Sequence, residues 1–382
     1  MRKRLLAYAS IMLLAAPVVR AGVTNPDISV IGQPFIRWTD DGASTARKRP
    51  VFDEGETEFV FDAALNPYAR GFFAVSMAEG DVGVEEVYFT LLRGLPGDIT
   101  LKGGKYRAGF GKLNLAHPHT YPFAERFGVL SAFLPGAESF NETGLSVGWR
   151  VPLPGTWSVT ANADVLQGDG FRIERTPSVA SNDPLLIDSD EGDRTSEPRS
   201  AWLGRLAAFA PIGDRSGLEL GLSATEGTNN VAAIARTRVL GGDAKLKLWT
   251  APSAYLLVQG EYLQLDRDDA SWDGTTAAYV FGKAQADGGY LFADYNWKQR
   301  YNVGASVEGY EDPDAPIVDI TSLGAFAGLA LMEETTVFRL DWKRTTRTGS
   351  ADPFPPASAS EPIQSLRLRV IFSMGPHKAH QF

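Results

Sequence analysis

The sequence predicts an all-β protein: a transmembrane antiparallel up-and-down β-barrel of about 16 strands. Three observations support this fold class. Segments with alternating apolar and polar side chains recur along the chain, and the connections between them alternate between short and long. Beyond residue 21, no apolar run approaches the roughly 20 residues of a membrane helix. A chain that spans a membrane without helices needs a closed barrel, which satisfies its backbone hydrogen bonds internally.

The chain begins with an export signal. Residues 1–21 combine three basic residues at positions 2–4, an apolar stretch over 5–19 and small residues at the end. This pattern is typical of a cleaved secretory signal peptide. An uncleaved anchor would use the same residues, but the apolar stretch is short and contains Pro17. The predicted division is a signal peptide over 1–21 and one barrel domain over 22–382.

Charge and cysteine content exclude several classes of function. The signal segment holds four of the 37 basic residues and no acidic one, which leaves 33 basic against 46 acidic residues. The mature chain therefore carries a net charge of about −13, and no basic stretch favours nucleic acid. The absence of cysteine excludes disulfides and thiolate metal sites.

The barrel strands are predicted from the alternation, with bounds uncertain by a few residues. They cover 27–38, 57–65, 69–79, 84–94, 98–109, 141–151, 156–167, 200–211, 216–226, 236–249, 254–265, 284–297, 300–310, 317–331, 334–346 and 364–375.

The connections between these strands predict which end of the barrel faces outward. Outer-membrane barrels have tight periplasmic turns and long extracellular loops, and an even number of strands returns both termini to the periplasm. Short turns are predicted at 66–68, 95–97, 152–155, 213–214, 252–253, around Gln299 and at Glu333. Long polar loops are predicted over 39–56, 110–140, 168–199, 266–283 and 347–363, with shorter links at 80–83, 227–235 and 311–316.

Side-chain patterns predict what each face of the sheet meets. In the strand at 156–167, Val159 and Val165 share one face, and Thr160 and Asp164 share the other. In a single barrel of this size, the apolar face meets lipid and the polar face lines a wet lumen. Paired aromatics at the short turns are expected to form an interfacial girdle. The pairs are Trp149 with Trp157, Trp249 with Tyr255, and Trp297 with Tyr301.

The last strand and the end of the chain resemble those of bacterial outer-membrane barrels. Leu366, Leu368, Val370 and Phe372 share one face of this strand. A terminal aromatic such as Phe382 resembles the assembly signal of these barrels. The last strand is expected to pair with the first, because only closure removes the edges of the sheet.

Three short motifs resemble a group of poorly characterised outer-membrane barrels of Gram-negative bacteria over nearly the whole mature chain. They are 25–32 (NPDISVIG), 107–119 (RAGFGKLN followed by HPH) and 375–382 (GPHKAHQF). Members are labelled porin-like or zinc-regulated receptors dependent on TonB, and the plan is more distantly similar to the sixteen-stranded phosphate-selective porins. A receptor of that kind needs about 22 strands and a plug domain. Only about 35 mature residues precede Thr57, which leaves no room for a plug.

Passive diffusion of small hydrophilic solutes or ions is therefore the predicted function. Two alternatives stay open, a barrel that binds or takes up zinc and a structural or adhesive barrel without conduction. An enzyme is not expected, because no serine stands beside the histidines as a nucleophile. Expected partners are outer-membrane lipid and lipopolysaccharide, the barrel assembly machinery and the solute, with no nucleic acid, and a homotrimer is compatible with this plan.

The four histidines form two pairs, His117 with His119 and His377 with His380. Imidazole is the commonest zinc ligand, and pairs at this spacing can share an ion. In the predicted topology, the first pair starts in an outer loop and the second is periplasmic. One interpretation is a zinc site shared by the four histidines, which could converge only if the loop folds deep into the lumen. The other is that the first pair shapes a loop and the second belongs to the assembly tail, with no cofactor.

The long segment 110–140 is too apolar for a solvated loop. A loop folded into the barrel would bury these side chains and narrow the pore, whereas a loop packed over the rim or against a neighbouring subunit would bury them elsewhere. The candidate constriction residues are Phe110, Tyr121, Phe123, Phe127 and Phe133.

Charged side chains on the polar faces are candidates for the pore lining. Their signs are mixed, and basic residues concentrate on 236–249 and on the last two strands, which predicts at most a modest preference for anions. Ion pairs between these basic residues and Asp243 or Asp341 would weaken the preference for anions. The candidates are Arg150, Arg205, Lys245, Lys247, Arg339, Lys343, Arg367, Arg369, Asp62, Asp164, Glu261, Asp294 and Glu308.

Overall fold

The computed structural model describes residues 26–136, 138–173, 199–231, 233–273, 275–276, 278–315, 318–332, 335–349 and 361–375. The predicted signal peptide and the tail with His377, His380 and Phe382 lie outside these ranges. Among the described residues, no helix combines the length and hydropathy needed to cross a membrane.

Strands dominate the described chain, and eighteen strand segments form one antiparallel sheet. One short α-helix, α1 (Gly128–Phe133), and four 3₁₀ turns interrupt them, at Pro96–Asp98, Leu113–Leu115, Pro118–Thr120 and Asp169–Phe171. The segments are β1 (Asp27–Gly32), β2 (Phe35–Thr39), β3 (Val51–Asp53), β4 (Thr57–Ala64), β5 (Ala69–Ala78), β6 (Asp81–Leu91), β7 (Ile99–Arg107), β8 (Asn141–Val151), β9 (Ser158–Leu166), β10 (Ala201–Ile212), β11 (Ser216–Asn230), β12 (Ala235–Ala251), β13 (Ala254–Asp273), β14 (Ala278–Trp297), β15 (Tyr301–Glu311), β16 (Asp319–Met332), β17 (Thr336–Thr348) and β18 (Ile363–Met374).

The eighteen segments make sixteen barrel strands, because the first two strands are each interrupted once. β1 and β2 both pair with β18, and β3 and β4 pair with β2 and β1 in turn. Pro34 separates β1 from β2, since proline has no N–H to donate to a ladder. Gly55, with a φ of 65°, lies in the matching gap between β3 and β4. The predicted all-β, sixteen-stranded antiparallel fold is confirmed.

The first and last strands close the barrel. Val30 pairs with Met374 at one end of this junction, and Trp38 pairs with Leu366 further along. The predicted pairing of the two ends of the chain is therefore confirmed. The ladder runs around the whole cylinder, so the described sheet presents no free edge to another chain.

Most predicted strands lie within a few residues of the observed ones, and β8 matches exactly the predicted 141–151. The prediction of a long loop over 266–283 is wrong, because β13 and β14 continue as a ladder that pairs Asp273 with Ala278. The link at 80–83 is also shorter than predicted, since β6 begins at Asp81. The extended hairpin carries polar residues on both faces, so the alternation that marks a strand fades there.

The two faces of the sheet differ as the barrel prediction requires. Leu222 on β11 is 65% exposed on the outside, while Ser223, its neighbour, is 5% exposed inside. The same contrast recurs around the barrel, with apolar side chains outside and charged ones inside. This is the reverse of a soluble protein and matches a lipid-facing outer surface. Other outward side chains are Leu206, Leu220, Leu291, Val307 and Leu323.

Two of the three aromatic pairs have the predicted outward position. Trp149 and Trp157 are exposed on the outside, and Trp297 stacks on Tyr301 with ring centroids 5.4 Å apart. The prediction for Trp249 and Tyr255 is wrong. These rings share the inward face of Lys247, whose Nζ lies 4.3 Å from the Tyr255 ring. Strict alternation along β12 from the buried Asp243 makes every odd residue up to Trp249 face the lumen.

Candidate functional site

The chain between β7 and β8, residues 108–140, folds into the interior of the barrel and is called the lumen loop below. It runs from β7 across the interior to residues of β11, β13 and β15, and its tip reaches β17 and β18. The five candidate constriction residues are all buried in it: Phe110, Tyr121, Phe123, Phe127 and Phe133 are 0–5% exposed.

Gly111 makes the turn that carries the loop onto the opposite wall. Its φ is 60°, and a Cβ there would collide with the carboxylate of Glu261 on β13. That carboxylate accepts hydrogen bonds from the backbone N–H groups of Lys112 at 2.9 Å and Leu113 at 2.7 Å, and from the Tyr290 hydroxyl at 2.6 Å. A buried carboxylate with three donors fixes the loop to the wall.

Asn114 ties the beginning of the loop to its end. Its amide nitrogen donates to the carbonyl oxygens of Ala108 at 2.8 Å and Phe140 at 3.0 Å. Its amide oxygen accepts from the Phe140 N–H at 2.9 Å and from Arg126 at 3.1 Å. The two bonds to Phe140 hold the two arms of the loop together, and the other two fix Asn114 to Ala108 on its own arm and to Arg126 in the middle of the loop. The motif at 107–114 thus has a structural role at the point where the chain enters the lumen.

An aromatic cluster packs the middle of the loop against the wall formed by β14 and β16. Phe127 stacks on Tyr290 with ring centroids 4.0 Å apart and an interplanar angle of 12°. Phe123 meets Phe292 and Phe326 edge-on at 5.1 and 5.7 Å. Side chains of this size bury enough apolar area to hold the loop inside without covalent links.

The helix α1 is fixed at its start by the wall of β15. Glu308 accepts a hydrogen bond from the Val129 N–H at 2.8 Å, and its other carboxylate oxygen lies 3.4 Å from Lys343 Nζ. At the far end of α1, Phe133 packs edge-on against Tyr310 at 6.2 Å. Glu308 and Lys343, both predicted pore-lining residues, therefore contact each other, and Glu308 also contacts the loop.

The tip of the loop is held by basic residues of the last two strands. Arg339 donates to the His119 carbonyl oxygen at 2.9 Å, and Arg369 donates to the Phe123 carbonyl oxygen at 2.7 Å. Arg367 forms an ion pair with Glu125, and Asp341 accepts from the Ala124 N–H at 2.8 Å. Three of the basic residues predicted on these strands, Arg339, Arg367 and Arg369, therefore bind the loop.

The remaining predicted lumen charges lie away from the tip. The Arg205 guanidinium donates two hydrogen bonds to the Asp243 carboxylate, Nη1 to Oδ2 at 2.6 Å and Nη2 to Oδ1 at 2.9 Å. Both side chains lie against Gly221. Asp62 pairs with Arg70 at 2.9 Å, and Asp294 accepts from Asn302 at 2.9 Å. Asp164 is buried, Lys245 and Lys247 are half-buried, and Arg150 is exposed near the end of β8. A role for any of these charges in permeation stays a prediction.

The first histidine pair meets acidic residues of the wall. His117 Nδ1 and His119 Nδ1 each lie 3.2 Å from a carboxylate oxygen of Glu58 on β4. His117 Nε2 lies 2.9 Å from Glu86 on β6. Burial and the nearby Arg107 oppose the charged form of His117, but hydrogen bonds to Glu58 and Glu86 outweigh them and raise its pKa to about 9.

Sequence reasoning missed Glu58 and Glu86. Glu58 follows Glu54 and Glu56 at alternate positions, and Glu86 directly follows Glu85, so neither stands out from its acidic neighbours. The only signal was that both fall on polar faces of predicted strands.

A cavity of about 280 Å³ remains between the tip of the loop and the wall formed by β2 and β15–β18. Polar and charged side chains of both signs line it, together with the aromatic rings of the tip. Phe123, Phe127 and Phe326 of the aromatic cluster form part of its lining. Its lining includes Arg37, Asp41, Ser44, Glu125, Ser306, Lys343, Ser365 and Arg367.

Comparison with known proteins identifies a relative and a shared fold. No family model matches the chain. An uncharacterized protein of Aquifex aeolicus is 29% identical over 348 residues, which cover 87% of this chain and 70% of that protein.

Solved porin structures resemble the barrel at low sequence identity. The anion-selective porin from Comamonas acidovorans has a TM-score of 0.57 at 11% identity, covering 91% of this chain and 99% of that one. The outer membrane channel DcaP of Acinetobacter baumannii has a TM-score of 0.55 at 8% identity, covering 91% and 97%. OmpT of Vibrio cholerae in its trimer form has a TM-score of 0.50 at 11% identity, covering 92% and 100%. The porin part of the resemblance stated above is supported and the TonB-dependent receptor label is not: the chain has the fold of a sixteen-stranded porin.

Proposed function

We propose that the protein is an outer-membrane channel through which small hydrophilic solutes or ions diffuse passively. The observation that carries the proposal is the lumen loop, which fills part of the barrel and leaves beside its tip a cavity lined by charged, polar and aromatic side chains. An apolar exterior with a polar, loop-narrowed interior suits a water-filled passage across lipid. The names of the porins that share the fold support the same function and an outer-membrane location.

Cysteine scanning tests whether solutes pass through this cavity, because the natural chain has no cysteine. Ser306→Cys places a thiol in the cavity lining, and Val307→Cys places one on the adjacent outward face, where Val307 is 42% exposed. In planar bilayers, a charged thiosulfonate reagent should lower the conductance of the Ser306→Cys channel and leave the Val307→Cys channel unchanged. Equal responses of the two variants would contradict the proposed path, and an absence of conductance in the wild type would favour the structural or adhesive barrel.

We also propose a modest preference for anions. Lys245 faces the lumen without an ion pair among the described residues, and Lys247 lies next to it on the same face. Arg215 stacks on the Trp249 ring at 3.9 Å at the same end of the barrel. Lys245→Glu should therefore move the reversal potential in a salt gradient toward cation selectivity. Arg236→Gln, which changes an exposed side chain paired with Glu226, is the matched control and should leave the potential unchanged.

The proposal involves no catalysis. Both ring nitrogens of His117 face carboxylates, of Glu58 and Glu86, whereas a nucleophilic triad needs a histidine beside a hydroxyl or thiol. Lipid, lipopolysaccharide and the barrel assembly machinery are the proposed surroundings and partners, with both termini in the periplasm. A homotrimer is the proposed assembly, in line with the trimer form of the Vibrio cholerae protein.

A further inference from the structure

We propose that Glu58, His117 and His119 bind a divalent transition-metal ion that clamps the lumen loop to β4. This inference goes beyond passive diffusion, and a barrel with or without conductance could carry such a site. The three side chains come from two separate parts of the chain, one on the wall and two on the loop, and folding brings them together.

The spacing of the ligand atoms suits one small ion. One ligand atom from each of the three residues lies within 4.8 Å of the other two. Both distances from the Glu58 carboxylate to the imidazole nitrogens are 3.2 Å. Bonds of about 2.0–2.2 Å in a tetrahedral site place ligand atoms roughly 3.3–3.6 Å apart. Small rotations of the two rings would bring both Nδ1 atoms and the carboxylate onto the same ion.

Glu86 orients one of the rings as metal sites require. Its carboxylate lies 2.9 Å from His117 Nε2, so a neutral, metal-bound ring would keep its N–H at Nε2 and present the Nδ1 lone pair to the ion. A carboxylate on the outer nitrogen of a ligating histidine is the usual arrangement around bound metals.

The ligand atoms are buried and face one another. Glu58 is 1% exposed, and each of its two carboxylate oxygens lies 3.2 Å from an imidazole Nδ1. An ion held between the carboxylate and the two rings would satisfy all three of these buried groups.

The surrounding charge also favours a cation. Glu58, Glu85 and Glu86 supply three carboxylates, and Arg107, which pairs with Glu85 at 2.8 Å, supplies a guanidinium that contacts them within the described part of the chain. Imidazole and carboxylate ligands without sulfur suit zinc and its neighbours in the first transition row. Three protein ligands leave a fourth position for water.

Metal titration of the full chain in detergent micelles tests the site. After treatment with a chelator, the wild type should bind one Zn²⁺ per chain by calorimetry, and Co²⁺ should give the visible absorption of a tetrahedral site. Glu58→Gln and His119→Ala should weaken Zn²⁺ binding at least tenfold. Glu86→Gln removes no ligand and should weaken binding by about 10–100-fold. It is the second test if the ligand variants fail to fold.

Two control variants separate this site from others. Glu219→Gln breaks another contact between the loop and the wall, the 2.7 Å ion pair with Lys112, and should leave Zn²⁺ affinity within twofold of wild type. Replacement of both His377 and His380 by alanine should also leave it unchanged. A wild type that binds no stoichiometric metal would overturn the proposal, as would binding that survives Glu58→Gln and His119→Ala. Loss of binding in the His377 and His380 variant would assign the ion to the tail and overturn it too.

Discussion

Two features of the lumen loop require glycine at position 111. Its backbone lies in the left-handed region, with a φ of 60°, and the Glu261 carboxylate occupies the space where a Cβ would lie. The two demands are independent, because one concerns the backbone and the other the packing of the buried wall.

Gly111→Ala should therefore lower the free energy of unfolding. The backbone alone costs about 1–2 kcal/mol, and displacement of Glu261 from its three donors adds to that cost. Urea unfolding of the protein refolded in detergent, followed by tryptophan fluorescence, measures the change.

Gly109→Ala is the matched control within the same motif. A Cβ at Gly109 would have no atom within 4 Å, and its φ lies outside the left-handed region. This variant should unfold within about 0.5 kcal/mol of the wild type. Equal losses of unfolding free energy in Gly109→Ala and Gly111→Ala would show that neither the φ of Gly111 nor its contact with Glu261 requires glycine.

For single residues, the sequence predicted burial better than it predicted contacts. The apolar content of 110–140 indicated a loop that must bury itself, and Phe127 and Phe133 are buried inside the barrel. The partners of His117 could not be predicted, because Glu58 lies 59 positions away and meets it only after the barrel closes. The sequence suggested the tail histidines instead, since spacing is the only guide before the fold is known.

At the scale of elements, alternation located the strands where one face meets lipid and the other meets polar atoms. It placed β8 at its observed bounds, because Leu145, Val147 and Trp149 point outward and alternate with the small inward residues Gly144, Ser146 and Gly148. It failed on the outer half of β13 and β14, where Asp266, Lys283 and Gln285 form an exposed polar network. A ladder in water on both faces has no reason to alternate.

The strand β18 ends at Met374, before the tail at 376–382 begins. Met374 pairs with Val30, so the described junction is complete before residue 376. Deletion of 376–382 should therefore leave refolding in detergent and resistance to unfolding on unheated gels unchanged. In cells, the same deletion should lower the amount of barrel in the outer membrane several-fold, because the predicted signal at Phe382 is lost.

A second variant locates the signal more finely. Phe372→Ala changes an outward aromatic ring that packs on Gly32 within the junction. It should reduce stability in vitro as well as assembly in cells. A tail deletion that assembles normally in cells would show that the machinery reads a residue of β18 and not Phe382.

At the scale of the whole molecule, the outward surface determines whether the barrel lies in a membrane. Leu222 is 65% exposed near the middle of β11, where lipid is expected on the outside. Leu222→Arg should destabilise the protein in phospholipid vesicles by about 2–4 kcal/mol, the cost of a charge near the bilayer midplane. Equilibrium unfolding from vesicles measures it.

Leu222→Phe is the corresponding control, because it keeps the position apolar. It should leave the stability in vesicles within about 1 kcal/mol of wild type. A Leu222→Arg variant as stable in vesicles as the wild type would place this surface in water and contradict the membrane assignment.

Arg369 couples closure of the barrel to the packing of the lumen loop. It donates to Gln33 at the break in the first strand and to the Phe123 carbonyl oxygen at the tip of the lumen loop. The same buried guanidinium therefore needs both the first strand and the loop in place. Its exposure of 4% is reached only in the complete barrel, with the loop inside the lumen. The wall should therefore be sealed and the interior packed in a single cooperative step.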